Sequence, residues 1–96
     1  MTEYHERTLE EEHGRLATIV YQASKTAAMS DGHTLYGIVI EKLYEDFLAE
    51  HEETGPITDD LNTVIILLAI LVRNLVTPVS LCCVVDELLR DIASLL

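Results

Sequence analysis

The sequence predicts an all-α domain, a small dimeric bundle of about four helices. Three observations carry that prediction. Aliphatic residues recur at the i, i+3, i+4, i+7 spacing of helices more than they alternate. The run Leu61 to Val72 carries no charge between Asp60 and Arg73, so a helix there would be wetted on neither side. Short turn clusters, Ser30-Asp31-Gly32-His33, Gly55-Pro56 and Thr77-Pro78, divide the chain into lengths that suit helices.

Taken in order, residues 1–7 are polar and read as frayed. Thr8-Leu9-Glu10-Glu11 has the form of a capping box, in which Thr8 accepts from the third backbone N–H and Glu11 reaches back. A helix over 9–29 then turns Leu9, Leu16, Val20, Ala23 and Ala27 to the core, with Ile19 and Met29 at the margin and Gly14 weakening it slightly. After the Ser30–His33 turn, a second helix over 34–53 faces Tyr36, Val39, Ile40, Leu43, Tyr44 and Phe47 inward. Glu41, Lys42, Glu45 and Asp46 then lie outside. Gly37 marks a place where a neighbouring backbone could come close.

Gly55 and Pro56 end that segment, and Thr58 or Asp59 is the expected N-cap of a third helix over 59–76. Its first face is Leu61, Val64, Ile65, Leu68, Val72 and Leu75; a second row, Thr63, Ile66, Leu67, Ile70 and Asn74, lies opposite. Thr77 as cap and Pro78 at the first helical position open a fourth helix over 78–95. It turns Leu81, Val84, Val85, Leu88, Ile92 and Leu95 inward and leaves Asp86, Glu87, Arg90 and Asp91 out.

Composition bounds function. Ninety-six residues make a single domain with a modest core, and 49% apolar content argues against general disorder despite a net charge of −11. Six Lys and Arg against seventeen Asp and Glu provide no basic stripe for phosphates, which argues against nucleic acid and against an anionic membrane surface. Most of the acids precede residue 61, so the first part of the chain is the solvated part. The adjacent Cys82 and Cys83 point about 100° apart on a helix and do not pair with each other, which suits a reducing compartment. The first residues lack the features of a signal peptide, and the apolar run falls short of the about 20 residues a membrane helix needs. A cytoplasmic protein is expected.

Candidate chemistry is sparse. Glu10-x-x-His13 has the spacing of a metal-ligating pair in di-iron bundles, but no second Glu-x-x-His faces it, so a metal-binding bundle is the weaker alternative. His33 sits in a turn without a nucleophile or carboxylate at a defined spacing. Cys82 and Cys83 lack an activating base nearby. No phosphate loop, nucleophile elbow or zinc-protease motif occurs. The expectation is no enzyme, no cofactor and no bound metal.

The positive signal is surplus aliphatic surface in residues 61–96. At about 25 cal/mol per Å2, leaving Ile66, Leu67 and Ile70 wet forgoes several kcal/mol, so a partner is expected to cover them. The predicted protein interface is Ile66, Leu67, Ile70, Asn74, Val79 and Cys82, used for a homodimer or for another protein. A homodimeric structural or chaperone-like module is the alternative to a regulatory binder.

The stretches Leu16-Ala-Thr-Ile-Val-Tyr-Gln-Ala-Ser-Lys-Thr-Ala-Ala-Met and Tyr36-Gly-Ile-Val-Ile-Glu-Lys-Leu-Tyr-Glu-Asp-Phe cover roughly a third of the chain. In character and size the chain resembles the small, acidic, all-helical anti-activators of LuxR-type quorum-sensing regulators, the QslA type. That resemblance implies a protein that binds a transcription factor and blocks its dimerisation or DNA binding. It assigns no individual residue a role.

Overall fold

The computed structural model describes residues 4–28, 32, 34–45 and 47–94. Its first half is a four-stranded antiparallel meander in the order β1-β2-β3-β4, built from Tyr4–Glu10, Leu16–Ala28, Thr34–Tyr44 and Phe47–Glu53. Two helices follow, α1 (Leu61–Arg73) and α2 (Leu81–Ser94), with a 3-10 turn over Pro78–Ser80 between them. The architecture is therefore mixed, and the all-α helical bundle is overturned: the segments expected as helices over 9–29 and 34–53 form the sheet. The supposedly frayed start supplies β1, from Tyr4 onward.

Side-chain alternation explains why these segments are strands. Along β2, Ala17, Ile19, Tyr21 and Ala23 are buried on one face, while Leu16, Thr18, Val20, Gln22 and Ser24 point the other way, Val20 buried among its own-face neighbours. The register sets Ile19 beside Lys42, Tyr21 beside Ile40 and Ala23 beside Ile38, all toward the helices. A helix would have placed Ile19 at the margin and Tyr21 outside, yet both are fully buried. The β-branched runs Thr18-Ile19-Val20 and Ile38-Val39-Ile40 favour the extended backbone that this packing uses.

The connections agree. Between β1 and β2, the Glu11 N–H donates to the Arg15 carbonyl at 2.7 Å, and His13 (φ 67°) and Gly14 (φ 76°) turn the chain through the left-handed region. Gly14 is thus a hairpin residue. Thr8 lies opposite Thr18 inside the ladder and caps no helix. Tyr44 pairs with Phe47 across a two-residue turn in which Glu45 adopts φ 55°. Of the Ser30–His33 turn, only Gly32, at φ 90°, lies within the described residues.

Beyond β4 the chain bends at Gly55 (φ 71°) and keeps beside β3. The Ile57 N–H donates to the Tyr36 carbonyl at 2.9 Å, and the Tyr36 N–H to the Thr58 carbonyl at 2.8 Å. The bend brings the Gly55 carbonyl so near Gly37 that a Cβ on Gly37 would lie 2.2 Å from the oxygen. Gly37 is therefore a close-approach residue of β3 and not of a helix's first turn.

Asp60 caps α1, its carboxylate accepting from the Asn62 N–H at 3.0 Å, one or two positions after the expected caps. Val64, Leu67, Leu68 and Leu71 pack at helical spacing over β2 and β3 and join Ile19, Tyr21, Ala23, Ile38 and Ile40 in one core. Two strand side chains bind the far end of α1. Arg7 donates to the Val72 carbonyl at 2.7 Å, and the buried Tyr21 hydroxyl donates to the Val76 carbonyl at 2.8 Å. α2 adds Leu81 and Val85 to the core and meets the sheet at β4.

Candidate docking surface

Helices cover one face of the sheet. On the other, the register aligns side chains in rows across the strands: Tyr4, Gln22, Val39 and Glu53; then Glu6, Val20, Glu41 and His51; then Thr8, Thr18, Leu43 and Leu48; and last Glu10 beside Leu16. No described element lies on this face, which we term the open face. Its first two rows carry Glu53, Glu6 and Glu41 beside Val39 and Val20, and its last two carry Leu43, Leu48 and Leu16 with Thr8, Thr18 and Glu10.

At the aliphatic end, Leu16 is 59% exposed, Phe47 67% and Leu48 47%, unusual values for side chains of that size. Leu16 and Phe47, with Thr8, Arg15, Thr18, Tyr44 and Glu45, line a concavity of 710 Å3. Leu16 opens β2 and Phe47 opens β4, so two hairpin ends set its walls.

The frame of this end is polar. Glu11 accepts from the Lys42 ammonium at 2.5 Å and from the Tyr44 hydroxyl, and the Arg15 guanidinium lies 3.7 Å from the Tyr44 ring centroid. Lys42 is buried, on the helix side of β3, and its charge is matched there by Glu11. These hydrogen bonds hold the Glu11 carboxyl below its ordinary range, Lys42 contributing most and Tyr44 next, and Glu11 in return holds the Lys42 ammonium above its own. The cluster ties the β1–β2 turn to β3.

At the acidic end, His51 Nδ1 lies 2.9 Å from Glu41 and its Nε2 3.5 Å from Glu53. The Glu41 hydrogen bond raises the His51 pKa, with a smaller contribution from Glu53. The Tyr4 hydroxyl donates to Glu6 at 2.5 Å, which raises the phenol. These contacts order the acids without neutralising the row.

The residues expected to form an interface are dispersed. Leu67 is fully buried against the sheet and is unavailable to a partner. Ile70 is half-buried, Ile66 exposed, and Asn74 donates its side-chain amide to the Ile70 carbonyl at 2.8 Å. Val79 is 80% exposed in the 3-10 turn, and Cys82 is exposed at the start of α2. Burial and the nearby Glu52 and Asp86 push the Cys82 thiol up, away from the reactive thiolate. Leu16, Leu48 and the exposure of Phe47 escaped the helical reading. The polar residues Thr18, Gln22 and Ser24 between the buried Ala17, Ile19, Tyr21 and Ala23 are the signal that could have found the open face.

For the other candidates, Glu10 ends β1 and His13 sits in the turn after it, so they share no helix face. Among the described residues, no group of three His, Cys, Asp or Glu side chains is placed to hold a metal ion. His33 lies outside the described residues.

A family model described as a family of unknown function, DUF6514, matches residues 1–91. The chain belongs to the DUF6514 family. No curated protein and no solved structure matches it. The DUF6514 sheet thus has to be read from its own surface chemistry. No helix among its described residues is long and apolar enough to cross a membrane.

Proposed function

We infer that this chain is a non-enzymatic binding module that regulates another protein by occupying its surface, and that it docks through the aliphatic end of the open sheet face. The observation that carries this reading is that exposed Leu16 and Phe47 line a concavity beside exposed Leu48, its frame fixed by the Glu11, Lys42, Tyr44 and Arg15 cluster. A preformed apolar recess on an ordered sheet costs little conformational entropy to occupy. Ile66, Val79 and Cys82 are scattered over α1, the 3-10 turn and α2 and do not line that recess.

A transcription factor was implied by the stretches Leu16 to Met29 and Tyr36 to Phe47. Residues 16–28 and 36–44 of those stretches are strands of the sheet, so the helical docking of that family does not transfer and the partner's class rests on surface chemistry. Self-association is disfavoured by the net charge of −11 on each copy.

The test compares tagged wild type with Leu16→Asp and Phe47→Asp in a capture experiment, with thermal unfolding run on each. Both side chains are exposed, so the variants should fold with little change in Tm, and the partner retained by wild type should be lost. Retention by both variants would sink the assignment.

A further inference from the structure

We propose that the occupant of the open face is a basic amphipathic helix of another protein, its apolar stripe on Leu16, Leu43 and Leu48, beside the recess that Phe47 lines, and its Lys or Arg residues over Glu6, Glu41 and Glu53. The proposal rests on the docking reading above and adds the chemistry of the partner.

Charge supplies the first argument. Glu6, Glu10, Glu41 and Glu53 occupy open-face positions. His51 is engaged by Glu41 and Glu53, and Arg15 lies against Tyr44, so neither cation is directed at the carboxylates of β1. A second copy would bring the same carboxylates against themselves, whereas a cationic partner gains both steering and contact.

Spacing supplies the second. Rows two residues apart on a strand are separated by about 7 Å, so the four rows span about 20 Å, the length of a helix of about 14 residues. Covering a sheet face with a helix also repeats what α1 does on the opposite side.

The experiment titrates the full chain with labelled 18-residue Leu/Lys amphipathic peptide by fluorescence anisotropy, beside a Leu/Glu peptide of the same pattern and a scrambled Leu/Lys peptide of the same charge. The expected result is saturable binding of the first alone, weakened about tenfold or more by Leu16→Asp or Phe47→Asp and severalfold by the pair Glu6→Gln with Glu41→Gln. Asp86→Asn with Glu87→Gln, on α2, should leave it unchanged. Equal binding of the scrambled peptide, or equal loss on removing the α2 charges, would mean non-specific attraction and overturn the proposal. Tight binding of the Leu/Glu peptide, or a dimer by sedimentation that Phe47→Asp dissolves, would overturn the basic partner and leave the docking surface standing. Peptide binding indifferent to Leu16→Asp and Phe47→Asp would overturn both.

Discussion

Gly37 is the residue least open to change. Its missing side chain is what lets the Gly55 carbonyl lie against β3, since a Cβ would sit 2.2 Å from that oxygen and the obstacle is backbone. Gly37→Ala should cost about 1–3 kcal/mol in urea unfolding, the range of overpacked sites. Tyr21→Phe should cost about 1–2 kcal/mol for the Val76 carbonyl left unpaired beside a filled core. Burial pushes the Tyr21 phenol up to about 12, so its loss should be flat from pH 6 to 9. Glu11 behaves differently. Its carboxyl is held low in the fold, so it stabilises above the ordinary carboxylate range and that contribution disappears as pH falls through its depressed pKa. Urea titrations of wild type and Glu11→Gln should differ at pH 7 and converge toward pH 3. His51 has the opposite sign: raised in the fold by Glu41 and Glu53, it stabilises below its unfolded value near 6.5 and loses that contribution as pH rises through its folded pKa. An NMR titration should place its midpoint above 6.5 in wild type and lower it in Glu41→Gln.

Among the elements, α1 was the most legible from sequence, because an uncharged run can be satisfied only by burial and Val64, Leu67, Leu68 and Leu71 recur at helical spacing. What the run alone could not disclose is the surface it packs on, and so Leu67 read as a free back row when a sheet covers it. The strands were obscured by their own composition. Alanines at positions 17, 23, 27 and 28 and the acids of β4 are poor strand formers taken singly, and Leu9, Leu16, Val20 and Ala23 are loosely compatible with a helix. Tertiary pairing decides such segments, with Tyr21 and Ile19 two residues apart in the core under the helices, a placement the helical reading does not give them. Gly55 was recognised as a terminator, but it bends the chain along β3 and ends no helix. The open face was accordingly invisible, since its members share a surface only once the register is known. Asp60→Ala should test the α1 boundary, with about 1 kcal/mol lost through the Asn62 and Thr63 bonds its carboxylate accepts.

In the molecule as a whole, one sheet separates two different surfaces. One side is sealed by α1 and α2 into a single core; the other carries no described element and sets Glu6, Glu10, Glu41 and Glu53 among Leu16, Leu43 and Leu48. On the proposed docking, a net charge of −11 would oppose like-charged copies and attract a cationic partner, so binding should weaken steeply as salt rises toward screening lengths of about 8 Å. The central claim is that partners dock on the open face and not on the helical layer. Methyl NMR of the full chain during titration with the Leu/Lys peptide tests this most directly. The account predicts shifts at Leu16, Val39, Leu43 and Leu48 with Ile66 and Val79 unmoved; shifts confined to Ile66 and Val79 would contradict it.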